Sequence, residues 1–229
     1  MVRTLLRQLS TILILAGLML LADVGLTLVW QEPVSALYAQ WRQDALADDL
    51  EELSKPDLSP GEQKALERLP LDRDRAAFLA RALERRTDPG DPVGRIRIPE
   101  VGLSKVIVEG TDGGSLRRGP GHYPETPLPG IRGTVAIAGH RTTYGAPFRD
   151  LDKLEDRDEL VVEMPYGRFT YEVEREQIVD PTATWVTRRV GHDRLVLTAC
   201  HPKYSAAQRI VIFARLVGTE QLAWTSVRT

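Results

Sequence analysis

One cysteine, Cys200, stands among 229 residues, so no disulfide can close within the chain. The same scarcity leaves no Cys–Cys or His–Cys pair at metal-ligand spacing, so neither a metal nor a cofactor is expected. An excess of one charge is also missing. Thirty basic residues face thirty-two acidic ones, for a net charge of −2, which excludes the basic footprint of a nucleic-acid binder. No glycine-rich phosphate loop of the Walker type is present, and no internal repeat. An apolar fraction of 42% is ordinary, and 229 residues hold one good domain with appendages.

One long apolar run exists. Thr11 to Trp30 is interrupted by a single charge, Asp23. Such a stretch, as a helix, spans about 30 Å, enough for a bilayer core. Arg3 and Arg7 precede it and acidic residues come after it, which puts the N-terminus in the cytoplasm and the rest of the chain outside. Trp30 and Tyr38 suit the interface. A cleaved signal peptide ending at Val34-Ser35-Ala36 is the competing reading, and the length of the run favours an uncleaved anchor. Either reading exports the remainder of the chain.

Residues 33–92 read as a helical stalk or linker. Val34, Tyr38, Trp41, Ala45 and Leu53 fall near one stripe with Leu46 and Leu50 beside it, and acidic residues fill the other side. Ser59-Pro60-Gly61-Glu62 has the form of a capped helix start. A second amphipathic stretch runs from Asp72 to Arg86. Thr87-Asp88-Pro89-Gly90-Asp91-Pro92 then breaks the pattern. The expected division is 1–32 cytoplasmic end and transmembrane anchor, 33–92 stalk, 93–220 a mainly β domain, and 221–229 a tail.

Beyond Pro92, short β-type runs recur between turn signals. They are Val93–Ile98, Lys105–Glu109, Gly133–Ala138, Glu159–Met164, Arg168–Val179, Thr184–Val186, Arg194–Cys200 and Ile210–Val217. This spacing predicts a closed barrel or sandwich. The glycine-rich stretch Gly113–His122 reads as a surface connection.

Three of these runs carry chemistry at their edges. Leu195 to Ala199 leads into Cys200, Arg209 opens the last run, and Gly133 to Gly139 ends on His140. An unpaired thiol in an exported domain, an imidazole and a guanidinium are the parts of a cysteine acyl-transfer site. His140 can take and return the thiol proton. Arg209 can face a developing oxyanion. Asp150 and Asp152 are candidates to orient His140. His201 is a second candidate base, but alternation points it away from Cys200. His122 and His192 have no supporting context. A membrane-tethered β-domain that only binds a wall component or a protein partner remains open beside the catalytic reading. An L,D-transpeptidase is disfavoured by Thr198-Ala199-Cys200, where that family has Ser-x-Gly-Cys. A papain-like hydrolase is disfavoured because His140 precedes Cys200.

The segments Thr134–Arg141 and Val196–Cys200, with Arg209 opening an apolar strand, resemble the sortases, transpeptidases that attach surface proteins in Gram-positive bacteria. The likeness covers about residues 93–218. Val196 and Ala199 stand where that family usually has threonines. His140–Phe148 and Cys200–Tyr204 look most like the class E sortases of actinobacteria. The resemblance implies an eight-stranded β-barrel with His140, Cys200 and Arg209 as catalytic residues. It implies cleavage of a C-terminal sorting signal, Leu-Pro-x-Thr-Gly or Leu-Ala-x-Thr-Gly, between Thr and Gly. An amine of a cell-wall precursor or a pilin would then receive the acyl group. Tyr144 is a candidate for reading the signal. Some sortases bind calcium, and Glu172, Glu174 and Glu176 alternate along one run, though an exposed acidic face explains them equally.

Overall fold

The computed structural model describes residues 2–29, 33–53 and 58–220, so Trp30 and the tail 221–229 lie outside the described residues. Four helices precede the β domain: α1 (Val2–Val29), α2 (Pro33–Leu53), α3 (Pro60–Glu67) and α4 (Asp72–Glu84). Eight strands come next: β1 (Pro92–Ile98), β2 (Leu103–Glu109), β3 (Gly121–His122), β4 (Thr134–Ala138), β5 (Glu159–Met164), β6 (Gly167–Val179), β7 (Arg194–His201) and β8 (Gln208–Glu220). They close into a barrel in the order β1-β2-β3-β4-β7-β8-β6-β5. A one-turn helix, α5 (Gly113–Leu116), lies between β2 and β3.

Along α1, Leu6, Leu9, Ile12, Leu13, Ile14, Leu15, Leu18, Met19, Leu20, Leu21 and Val24 are each more than half exposed. Consecutive positions point in all directions around a helix, so the apolar surface is a sleeve and not a stripe. Among the described residues no helix is long and apolar enough to cross a membrane. The run expected to do so ends at Trp30, outside them.

Strands β4 and β7 and the Ile210–Ala214 part of β8 are buried on both faces along most of their length. Val135, Ile137, Leu195, Leu197, Ala199, Ile210, Ile212 and Ala214 fill the barrel interior. Their alternating neighbours Ala136, Val196, Val211 and Phe213 form an outer cluster with Val179 and Val186. Two-sided burial is why these strands read as continuous apolar runs. The expected strand at Thr184–Val186 is a 3-10 turn, Thr184–Thr187. Its β-branched residues serve to cover the outer cluster through Val186 instead of extending a ladder. Conversely, Gly121–His122 is a strand inside the expected surface connection. A Cβ on Gly121 would lie 2.1 Å from the Gly110 carbonyl oxygen, so only glycine lets β3 approach there.

The helices of 33–92 pack against the barrel. Leu58 and, from α4, Ala76, Leu79, Ala80 and Ala82 join the same apolar core as the barrel interior. The expected capping box is present: Ser59 Oγ accepts from the Glu62 amide and Glu62 accepts from the Ser59 amide. On α2 the buried face differs from the expected stripe. Trp41 is 66% exposed, whereas Ala39, Gln43 and Leu46 are buried. Polar Gln43 is the pivot. Its Oε1 accepts from the Val106 amide at 2.7 Å, and its Nε2 donates to the carbonyls of Val106 at 3.2 Å and Arg118 at 3.0 Å. A hydropathy pattern assigns glutamine to solvent. Here it is buried because its amide matches the unpaired backbone of β2.

Gln43→Ala strands these buried backbone groups without partners, and the expected loss of stability is about 1–3 kcal/mol. Urea unfolding of wild type and variant, followed by circular dichroism, checks this. An unchanged midpoint would mean that the docking of α2 does not rest on Gln43.

Candidate active site

β4 and β7 run parallel, with Thr134 beside Arg194 and Ala138 beside Thr198. The pairing continues one step past β4, where the Gly139 amide donates to the Thr198 carbonyl at 3.0 Å. This constant offset of sixty sets His140 level with Cys200. β7 and β8 are antiparallel, with Cys200 opposite Arg209. Because the Thr198 carbonyl points to β4, the Cys200 carbonyl, two residues on, points the same way. Cys200 and Arg209 therefore form the non-hydrogen-bonded type of pair, with Cα atoms about 4.5 Å apart and side chains close.

Parity fixes the face. Leu195, Leu197 and Ala199 point inward, so Val196, Thr198 and Cys200 point outward. The same count puts Ala136 and His140 outward from β4, and Val211 and Arg209 outward from β8. Thiol, imidazole and guanidinium thus share one outer face at one end of three neighbouring strands. His201 has the opposite parity, as expected, and its Nδ1 is buried with no hydrogen-bond partner among the described residues.

Cys200 is a free, half-buried thiol. His140 is held from several sides. Its Nδ1 is hydrogen-bonded to the Thr143 hydroxyl at 3.2 Å, and its ring packs on Tyr144 with centroids 4.8 Å apart. The Arg117 guanidinium lies over the Tyr144 ring, 5.8 Å from its centre. Burial first, and then the charge of Arg117, hold the His140 pKa below its ordinary value. At neutral pH the imidazole is uncharged and able to accept a proton. Gly139 carries no side chain because a Cβ would lie 2.5 Å from the buried Phe148 ring. Phe148 thus props the strand end that presents His140.

The loop after His140 turns back sharply. Tyr144, Gly145 and Ala146 have φ of 51°, 75° and 40°. Left-handed conformations at Tyr and Ala are uncommon and cluster at functional positions. Tyr204, in the loop after Cys200, has φ 69°. Both loops that border the thiol carry this conformation.

Asp150 and Asp152 do not take the role of orienting His140. Asp150 pairs with Lys153 and Lys203, and Asp152 with Arg141 and Lys203. Arg209 Nη1 donates to the carbonyls of Ala206 at 3.0 Å and Gln208 at 2.9 Å, which seats the guanidinium against its own turn. His122 is buried and structural, bonded to Glu109, Thr126 and the Pro127 carbonyl. His192 and Glu174 lie 3.5 Å apart, and Glu174 also binds Arg215. Sequence reasoning missed Thr143 as the partner of His140. It also missed the hydrogen bond of 2.9 Å between Tyr123 and Thr198 that ties the β3–β4 loop to the strand of the cysteine. A cavity of about 750 Å³ lies at the far end of the barrel, beside α4, and none of His140, Cys200 and Arg209 lines it.

A family model, the sortase domain, matches residues 96–217. The chain belongs to the sortase family. Sortase D of Bacillus subtilis is 36% identical over 134 residues, covering 57% of this chain and 66% of the relative. Sortase SrtE1 of Streptomyces coelicolor is 30% identical over 146 residues, covering 57% of this chain and 42% of the relative. The matched region thus spans under two thirds of either relative's length. Among solved structures, sortase E of Streptomyces avermitilis is 32% identical with a TM-score of 0.55, covering 62% of this chain and 97% of that one. The eight-stranded sortase barrel expected from the resemblance is the fold found.

Arg117→Ala removes a like charge from the surroundings of His140. The imidazole pKa is expected to rise, yet to stay below the ordinary value because burial remains. An NMR titration of the His140 ring protons reads this directly. A fall or no change would contradict the electrostatic assignment.

Proposed function

We propose that this sortase is a membrane-tethered cysteine transpeptidase acting on a C-terminal sorting signal. One observation carries the reading: Cys200 pairs with Arg209 across β7 and β8, and the chain that leads into His140 is bonded to β7 two residues before Cys200, through the Gly139 amide and the Thr198 carbonyl. Neutral His140 accepts the Cys200 proton, and the thiolate attacks the carbonyl of the signal's threonine. Arg209 stabilises the oxyanion that forms. His140 then returns the proton to the departing glycine amine, leaving a thioester on Cys200. An incoming amine, from a peptidoglycan precursor or a pilin, resolves the thioester and regenerates the thiol. In this reading Tyr144, exposed and packed on the His140 ring, contacts the signal and contributes to a preference for Leu-Ala-x-Thr-Gly over Leu-Pro-x-Thr-Gly. A sortase E1 relative, 27% identical with a TM-score of 0.56, has a tripeptide in its active site, which supports peptide as the substrate class.

The tether is residues 11–30. An apolar sleeve left uncovered by protein along α1 needs an apolar solvent, and a bilayer supplies one. Arg3 and Arg7 place the N-terminus in the cytoplasm and the barrel outside. A membrane-bound enzyme then meets membrane-bound substrates at raised effective concentration.

Intact-mass measurement of the full chain in detergent, mixed with peptides bearing each signal, tests the chemistry. The expected product is a mass gain equal to the peptide truncated after threonine, absent from Cys200→Ala. Folded protein with a free thiol that neither gains mass nor cleaves either peptide would favour the non-catalytic binding domain instead.

A further inference from the structure

We propose that Arg141 is a positioning residue that sets the distance between the cysteine and the histidine, an inference that rests on the cysteine-transferase reading above. Arg141 comes directly after His140, yet its side chain turns inward and is only 2% exposed. Three of its nitrogens have separate partners. Nε donates to the Arg149 carbonyl at 2.8 Å, Nη2 meets Asp152 Oδ1 at 2.9 Å, and Nη1 donates to the Cys200 carbonyl at 3.3 Å.

The last contact has a structural reason. The parallel ladder between β4 and β7 ends where the Gly139 amide meets the Thr198 carbonyl. The next carbonyl on that edge is the one of Cys200, and the chain after His140 has left the ladder to form its turn. The Arg141 guanidinium takes the place of the absent backbone amide. A single residue is therefore covalently joined to the base and hydrogen-bonded to the nucleophile's own peptide unit.

The anchorage reaches a third segment. Lys203, in the loop after Cys200, lies 3.4 Å from Asp150 and 3.5 Å from Asp152. Burial raises the Asp152 pKa, but Arg141 and Lys203 outweigh it and hold the carboxyl below its usual range, so the counter-charge persists at neutral pH. Only a planar fork with several fixed donors can serve a carboxylate and two carbonyls at once; a lysine ammonium at this site reaches fewer of them.

The test compares Arg141→Lys, Arg141→Gln and Asp152→Asn in the full chain, each alone and with His140→Ala. Two rates are read: iodoacetamide alkylation of Cys200 across pH, and peptide cleavage resolved into kcat and KM. A misplacement of reacting groups of about 1 Å costs on the order of 100-fold. The expected result is a fall of that order in kcat with KM little changed, and a loss of the His140-dependent part of the alkylation rate. In the His140→Ala background the same substitutions are expected to add little, because the geometry they disturb no longer has a second member. Effects that simply multiply, or rates per folded molecule equal to wild type, would overturn the proposal. If Arg141→Lys and Arg141→Gln fail to fold, Asp152→Asn, which keeps the arginine and removes its counter-ion, carries the same expectation at smaller size. Wild type that cleaves no peptide would sink the transferase reading alone, since alkylation still decides the role of Arg141.

Discussion

The parallel pairing of β4 with β7 is the contact on which the site depends. Its register is set well away from the chemistry, by Val135, Ile137, Leu195 and Leu197 filling the barrel interior. A slip of one residue would turn these side chains out and bring Ala136 and Val196 in, at the cost of burying two faces wrongly at once. Because β8 is locked to β7 by the same alternation, the positions of His140 and Arg209 relative to Cys200 are consequences of core packing. The reactive groups need little mutual attraction to find one another. They sit where the ordered strands end, and each is trimmed there by a local device: Phe148 under Gly139, Thr143 on the imidazole, the turn carbonyls on Arg209.

This arrangement also explains the electrostatics. The outer face beyond Val196 and Val211 is half-buried, so the imidazole is partly desolvated while the thiol stays reachable. Arg117, over the Tyr144 ring, adds a like charge. In the function proposed above, an uncharged His140 is the form that can take up the Cys200 proton. The lowered His140 pKa comes from burial and a neighbouring cation, and the hydrogen-bond partner of its Nδ1 among the described residues is the Thr143 hydroxyl.

Much of this was legible in the sequence because the decisive strands are buried on both sides. Leu195-Val196-Leu197 and Ile210-Val211-Ile212 announce strands whatever the tertiary context, and the polar residues that end them stand out. The misreadings share a cause: each concerns a contact that a linear hydropathy pattern does not display. Thr184–Val186 has β-type residues but makes a 3-10 turn over the outer cluster. Gly121–His122 lacks side-chain pattern yet pairs on both edges. Asp150 and Asp152 are near His140 in sequence, but a buried guanidinium and Lys203 claim them, and nothing in a linear pattern announces that Arg141 turns inward. The face of α2 was misjudged because a buried amide outweighed the larger apolar side chains of Tyr38 and Trp41.

Gln43 has a wider meaning for the barrel. β2 and β3 are joined through only two residue pairs, Val108 with Gly121 and Glu109 with His122, so much of β2 would present an open edge. Open edges are templates for pairing with a second chain. The glutamine amide, offering one acceptor and two donors to Val106 and Arg118, imitates a short piece of neighbouring strand. α2 therefore acts as a gasket on the seam of the barrel. A single polar side chain on a helix thus completes a seam that strand pairing alone leaves short.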